Sequence, residues 1–233
     1  MVKGKKIKKK KIKEPDEFIT FTQKAFLFIT QYRKQILVGG VILLLIILSI
    51  LSYRGWERRK EKEAYLKFTT AVEVYQVAIS PYREIESSKF KHLLELFDEV
   101  LTKFPNTSSG RLSHLYQGHL YLHLGQFDEA IKAYQTFLEK WKGDRLYKIF
   151  AWDGLGYAFE GKREFERALE AYQKVLELGQ RAPFAFAYLN AGRCYEKLGR
   201  KKEALESYRS FLNSSEKSNL TNLVLRKISL LEK

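Results

Sequence analysis

Three of the four histidines of this chain, His114, His119 and His123, lie within the stretch "SHLYQGHLYLHLGQFDEA". The spacing of four between His119 and His123 places both imidazoles on one face of a helix, an arrangement that could hold a metal ion. A zinc site in a protein requires three or four ligands, and Asp153 or Glu160 in the next predicted helix would have to complete it. Metal binding is therefore a minor alternative. Packing between helices, or contact with a partner, is the favoured role of these histidines.

Catalytic signatures are missing from the sequence. It contains no G-x-S-x-G, no phosphate-binding G-x-x-x-x-G-K-[ST] and no H-E-x-x-H. The single cysteine, Cys194, excludes an intrachain disulfide, and its apolar helical surroundings are typical of a buried thiol. Acid pairs such as Asp128–Glu129 lie at the predicted start of a helix, where they stabilise its N-terminus. We therefore expect no enzymatic activity and no cofactor.

Composition and charge indicate an all-α protein with a basic end. The chain has 233 residues, of which 45% are hydrophobic, only four prolines, and a net charge of +15. Residues 1–34 carry eleven Lys or Arg against three acids, whereas the chain from Glu63 onward carries 26 against 22. Because the basic excess is confined to the N-terminal end, a nucleic-acid-binding domain is not expected.

An uncharged run of eighteen residues, 36–53, predicts one transmembrane helix. As a helix it would be about 27 Å long, close to the thickness of the hydrocarbon layer. It follows 35 residues and precedes "RGWERRK", so it does not have the form of a cleaved signal peptide. Residues 1–35 are predicted to be a basic tail followed by a short amphipathic helix at the membrane surface. The apolar face of that helix would carry Phe18, Phe21, Ala25, Phe28 and Tyr32.

The charged residues on the two sides of the span predict opposite orientations, depending on which of them are counted. The first thirteen residues contain eight lysines, which favours a cytoplasmic N-terminus and contact with anionic lipid. The twenty residues after the span nevertheless hold six Lys or Arg, against three in the twenty before it. Since large downstream domains cross membranes largely regardless of charge, we favour a cytoplasmic N-terminus and a C-terminal domain on the other side. The reverse topology remains the alternative.

The C-terminal part contains a repeated pattern of small and aromatic residues. Gly118, Gly156 and Gly192 are 38 and 36 residues apart, and each is followed at fixed distances by an alanine, a tyrosine and an apolar residue. Twelve residues after the glycines lie Ala130, Ala168 and Ala204; sixteen residues after them lie Tyr134, Tyr172 and Tyr208. The small residues are expected where two helices of a hairpin cross closely, with the aromatic residues filling the space around the crossing.

This spacing resembles the tetratricopeptide repeat, and the resemblance implies an α-solenoid of stacked helical hairpins. The predicted repeat domain covers 54–233, with a degenerate repeat at about 60–105 that breaks near Ser80–Pro81, repeats at about 111–144, 149–182 and 185–216, and a capping helix at about 218–233. The layout of lysine-rich tail, amphipathic segment, single span and repeats is similar to that of the bacterial YfgM-type proteins. That resemblance implies an inner-membrane anchor, a periplasmic repeat domain and an ancillary role at the protein-export translocon. It also implies exported clients or periplasmic chaperones as partners.

The resemblance further implies a partner-binding groove on the first helices of the repeats. The matching positions are Leu112, Leu115, His119, Leu122, Phe150, Asp153, Tyr157, Glu160, Phe186, Leu189, Arg193 and Glu196. This set lacks the Lys and Asn arrangement with which some members of the repeat family hold a C-terminal carboxylate. We therefore expect the groove to bind an apolar or amphipathic segment, although packing between repeats is the alternative role of several of these side chains.

Overall fold

The computed structural model of the chain describes residues 17–79, 87–179, 184–214 and 219–233. These residues form ten α-helices and no strand. The helices are α1 (Glu17–Gln31), α2 (Arg33–Ala78), α3 (Ser87–Lys103), α4 (Ser108–His123), α5 (Phe127–Lys140), α6 (Arg145–Gly161), α7 (Phe165–Gly179), α8 (Phe186–Lys197), α9 (Lys201–Ser214) and α10 (Thr221–Leu231). The lysine tail and the predicted break near Ser80–Pro81 lie outside the described residues.

The N-terminal unit, Met1–Glu57, contains α1 and the apolar part of α2. The helices α1 and α2 are separated at the single residue Tyr32. Among the described residues, α2 is the one helix that is long and apolar enough to cross a membrane, with a mean hydropathy of 2.8 over its most apolar window. The side chains from Ile36 to Tyr53 are exposed along its whole circumference. By its length and composition, this part of α2 is a candidate membrane span.

The second unit, Arg58–Lys233, is built from antiparallel helical hairpins that pack side by side. The hairpins α4–α5, α6–α7 and α8–α9 each contain one copy of the repeated pattern. The C-terminal part of α2 packs together with α3 and α4. Phe68 of α2 and Phe97 of α3 lie at this contact, with their ring centroids 6.0 Å apart. At the other end α10 covers α9 and buries Val224.

The glycines and tyrosines of the repeat form the helix crossings. Tyr134, Tyr172 and Tyr208 are fully buried. A Cβ atom at Gly118, Gly156 or Gly192 would lie 2.5, 2.4 and 2.5 Å from the ring of the tyrosine of the same hairpin. Because only a hydrogen atom fits there, glycine sets the approach of the two helices. The buried alanines Ala130, Ala168 and Ala204 complete each crossing.

The first helix of each repeat ends in the same turn. In the α4–α5 hairpin the N–H of Gln126 donates to the carbonyl of Tyr121, and the N–H of Gly125 donates to the carbonyl of Leu122. This pair of bonds is the Schellman motif, which requires a left-handed backbone at its penultimate residue. The residue there is Gly125 at φ 70° and Gly199 at φ 72° in two hairpins, but Arg163 at φ 61° in the third. Arg163 therefore adopts a conformation that favours glycine.

Candidate partner-binding groove

The predicted groove residues lie on α4, α6 and α8, but they differ in exposure. Leu115 and Leu189 are only 3% and 8% exposed and pack within the core clusters. They cannot contact a partner in this conformation, so we leave them out of the binding surface. Leu112, Leu122 and Phe186 are partly buried against the same core. Packing between repeats thus accounts for much of the predicted apolar set.

Within the three repeat hairpins, the exposed large apolar side chains lie on the first helix of the middle repeat. Elsewhere in the second unit, large apolar side chains are also exposed on α2 and at α10, among them Tyr65, Leu66, Val74, Val77, Leu220, Leu223, Leu225 and Leu230. Of the described residues between Ser87 and Ser214, the large hydrophobic side chains that are exposed are Leu146, Phe150 and Tyr157, at 42%, 40% and 38%. All three lie on α6 with spacings of four and seven, so they share one face of the helix. We call these three residues the α6 stripe. Leu146 was not among the predicted groove residues, although its spacing of four from Phe150 was visible in the sequence.

A polar network joins α6 to α8 beside the α6 stripe. The guanidinium of Arg193 donates two hydrogen bonds to the carboxylate of Glu160, from Nε at 2.8 Å and from Nη2 at 2.7 Å. The hydroxyl of Tyr172 donates to the same carboxylate at 2.6 Å. Asn190 donates from Nδ2 to the hydroxyl of Tyr157 at 3.0 Å. Bidentate pairing of this kind fixes both side chains, so Glu160 and Arg193 are not free to meet a partner's charge.

A second ion pair neutralises the groove at the end of α8. Lys227 of α10 donates from Nζ to Glu196 Oε2 at 2.7 Å, and its ammonium lies 5.5 Å from the centre of the Tyr208 ring. The pair is only partly exposed, with 28% and 23% of the two side chains accessible. Glu196, a predicted groove residue, therefore already has a cationic partner within the chain.

Asp153 differs from the two other groove acids because no cation is hydrogen-bonded to it. Its Oδ1 atom is buried and has no hydrogen-bond partner among the described residues. Burial raises the pKa of Asp153 from 3.8 to about 7; Arg193 and Asn190 oppose this shift, and Glu160 adds to it. A carboxylate loses much of its hydration in such a position without gaining a compensating ion pair.

The histidines are engaged in packing. The Nδ1 atom of His119 lies 2.8 Å from the hydroxyl of Tyr134, and the ring of His123 stacks on Phe90 with the centroids 5.6 Å apart. Burial lowers the pKa of His119 to about 4, with a smaller contribution from His123; burial also lowers the pKa of His114 to about 4, with a contribution from Lys140. Among the described residues, no three histidine, cysteine or acidic side chains are grouped so as to hold a metal. His119 thus supports the buried tyrosine of its own hairpin.

The hairpins and their small-aromatic crossings define the class of the second unit, an α-solenoid. Two sequence models described as tetratricopeptide repeat match residues 111–181 and 154–218. The chain therefore contains tetratricopeptide repeats, and repeats of this kind form protein-interaction scaffolds. The assignment to the YfgM-type subfamily is not confirmed by these matches.

Solved structures share the fold at low sequence identity. A crystal structure of MamA is 22% identical with a TM-score of 0.53, over 62% of this chain and 77% of that chain. The apo form of RapI is 17% identical with a TM-score of 0.62, over 73% and 63%. A tetratricopeptide repeat protein from Parabacteroides merdae is 17% identical with a TM-score of 0.57, over 75% and 60%. The predicted all-α repeat fold is confirmed by these likenesses.

Two curated relatives match only part of the chain. The protein O-mannosyl-transferase TMTC3 of Homo sapiens is 31% identical over an alignment of 86 residues that covers 32% of this chain and 9% of that protein. The uncharacterized protein ycf37 of Cyanophora paradoxa is 27% identical over 113 residues, 48% of this chain and 63% of that protein. This chain thus spans about a tenth of the first relative and under two thirds of the second.

Proposed function

We propose that this chain is a membrane-anchored protein-interaction scaffold whose repeat domain binds other proteins along the groove of α4, α6 and α8. The observation that carries the proposal is the α6 stripe, a set of exposed apolar side chains on the first helix of the middle repeat. Elsewhere in the hairpins α4–α5, α6–α7 and α8–α9, the large apolar side chains are buried or partly buried. Exposed aromatic residues clustered beside a polar network are typical of sites that bind proteins.

We further propose that the chain is anchored in a bacterial inner membrane by α2, with its repeat domain in the periplasm. The exposed apolar surface of α2 supports the anchor, and the lysine-rich tail supports a cytoplasmic N-terminus. Near the translocon the domain would meet exported clients or periplasmic chaperones. Anchoring raises the effective concentration of a weakly binding groove next to this machinery, so moderate affinity suffices.

The topology is tested by a fusion at Lys233 of a reporter enzyme that is active only in the periplasm. We expect this fusion to be active, because the repeat domain would lie in the periplasm. An inactive fusion, with activity from a cytoplasmic reporter at the same position, would favour the alternative in which the repeats form a cytoplasmic scaffold for another membrane complex. A fusion after Gln31, before the span, serves as the control and is expected to give the opposite result.

The interaction function is tested by quantitative recovery of proteins with the full chain, purified from membranes. Replacing Phe150 and Tyr157 by serine removes the two aromatic rings of the α6 stripe. Because the Tyr157 hydroxyl also accepts a hydrogen bond from the buried Asn190, the thermal unfolding of this variant is measured first to show that it is folded. We expect specifically recovered proteins to fall at least tenfold, because truncating a central aromatic contact costs about 2 kcal/mol or more. The matched control replaces Gln135 and Gln173, exposed residues of second helices, by serine. Equal losses in both variants would contradict the groove assignment.

A further inference from the structure

Asp153 occupies the middle of the α6 stripe. It lies three residues after Phe150 and four before Tyr157, so its carboxylate is flanked by exposed aromatic side chains on one helix face. A partner that covers the α6 stripe must therefore also cover Asp153. The chemical group that the partner places over Asp153 determines whether the carboxylate gains a counter-charge or is buried without one.

Asp153 is the groove acid to which no cation of the described residues is hydrogen-bonded, although Arg193 and Asn190 lie close enough to lower its pKa. Of the three groove acids, Glu160 is held by Arg193 and by the hydroxyl of Tyr172, and Glu196 is held by Lys227. The Oδ1 atom of Asp153 is buried and lacks any hydrogen bond from the described residues. A partner with an apolar group at this point would bury the acid further, whereas a cation would pair with it.

The carboxylate is also a cost to the fold. Burial without an ion pair disfavours the charged form, while an asparagine of the same shape would carry no charge to desolvate. Residues that lower stability without compensation inside the chain are characteristic of binding surfaces, where the missing partner comes from another molecule. Because the groove has already removed much of the water around Asp153, an arriving cation meets a carboxylate that has lost part of its hydration.

From this geometry we infer that the α6 stripe selects an amphipathic partner segment in which one lysine or arginine is embedded among apolar side chains. The apolar side chains contact Leu146, Phe150 and Tyr157, and the cationic group pairs with Asp153. This inference rests on the proposed function, since it assumes that the groove binds proteins, and it adds the chemistry of the segment that is bound.

The test uses two synthetic amphipathic peptides of about 16 residues, long enough to form a helix on binding. They are identical in leucine, alanine and glutamine content except that the central position is lysine in one and norleucine in the other. Binding to the full chain in nanodiscs of zwitterionic lipid is measured by fluorescence anisotropy, with empty nanodiscs as the blank. Asp153→Asn is the test variant, and Glu170→Gln on an exposed face of α7 is the control.

We expect the unaltered chain to bind the lysine peptide about tenfold more tightly than the norleucine peptide, since hydrogen bonds to charged groups contribute enough for such a ratio. The ratio should fall to near one in Asp153→Asn and remain tenfold in Glu170→Gln. Equal binding of both peptides by the unaltered chain, or an undiminished ratio in Asp153→Asn, would overturn the selectivity and leave the groove function in place. Binding of neither peptide above the blank would overturn the inference and count against the groove function as well.

Discussion

The most sharply defined steric relation in the repeats is the contact between Gly156 and Tyr172. A Cβ atom at Gly156 would lie 2.4 Å from Cε1 and 2.5 Å from Cζ of Tyr172. The ring is fully buried and its hydroxyl donates to Glu160 at 2.6 Å, so it cannot move aside without breaking that hydrogen bond. Gly156→Ala therefore forces the two helices apart or displaces the ring.

The size of the effect follows from two opposing contributions. Overpacking a close contact in a core costs about 1–3 kcal/mol. An approach of 2.4 Å to a buried ring places the overpacking cost in the upper part of that range, at about 2–3 kcal/mol. Replacing glycine by alanine within a helix returns about 1 kcal/mol through backbone entropy. We therefore expect Gly156→Ala to lower the free energy of unfolding by about 1–2 kcal/mol, which for a domain of this size lowers the Tm by roughly 2–8 °C.

Thermal unfolding of the full chain in detergent, followed by circular dichroism, measures this change. Gly39→Ala is the control, because a Cβ atom there has nothing within 4 Å; since no clash opposes the gain in helix stability, we expect its Tm to be unchanged or slightly raised. In the double variant Gly156→Ala, Tyr172→Leu the clash is removed, so the two costs should be less than additive. An unchanged or raised Tm in Gly156→Ala, or strict additivity in the double variant, would refute the crossing as described.

Three further predictions concern single residues outside the crossing. Arg163→Gly should raise the free energy of unfolding by about 0.5–1 kcal/mol, because a non-glycine residue at φ 61° is strained. The greater freedom of glycine in the unfolded chain reduces this gain. A lower Tm in Arg163→Gly would contradict the prediction. Because burial raises the pKa of Asp153 from 3.8 to about 7, the stability from its protonated form is complete below about pH 4 and is lost as the pH rises to 7. Asp153→Asn should therefore raise the Tm most at pH 8, less at pH 5, and leave it nearly unchanged at about pH 3.5. A gain in Tm that does not grow with pH in thermal scans would show that the carboxylate is well solvated or paired. Burial raises the pKa of the Cys194 thiol to about 12, so the native chain should react with a thiol reagent only after unfolding; rapid labelling without denaturant would show that the α8 packing opens.

The repeat fold could be predicted from the sequence because its determinants are local and periodic. Gly118, Gly156 and Gly192 with their following alanines and tyrosines specify the crossings by residue size alone, and the resulting structure places them in contact. The same register aligns Arg163 with Gly125 and Gly199, seven residues after each repeat glycine. The left-handed turn at Arg163 could thus have been anticipated from the alignment.

The binding surface could be predicted only in part, because exposure depends on which neighbouring helix covers a position. Leu115 and Leu189 occupy groove positions in the repeat register, yet neighbouring helices bury them. Leu146 lies at the beginning of α6, where the register assigns no groove position, and remains exposed. The sequence places Asp153 in the groove but does not reveal that Arg193 is committed to Glu160, since this pairing depends on the distance between α6 and α8.

The central claim, that partners bind across the α6 stripe, is tested most directly by site-specific photocrosslinking in intact membranes. A photoreactive amino acid is placed at Tyr157 on the groove side and, in a separate variant, at Gln173 on the second helix of the same hairpin. We expect a discrete protein adduct from position 157, which is reduced when Phe150 is replaced by serine, and none from position 173. Discrete adducts from position 173 with none from position 157 would contradict this claim.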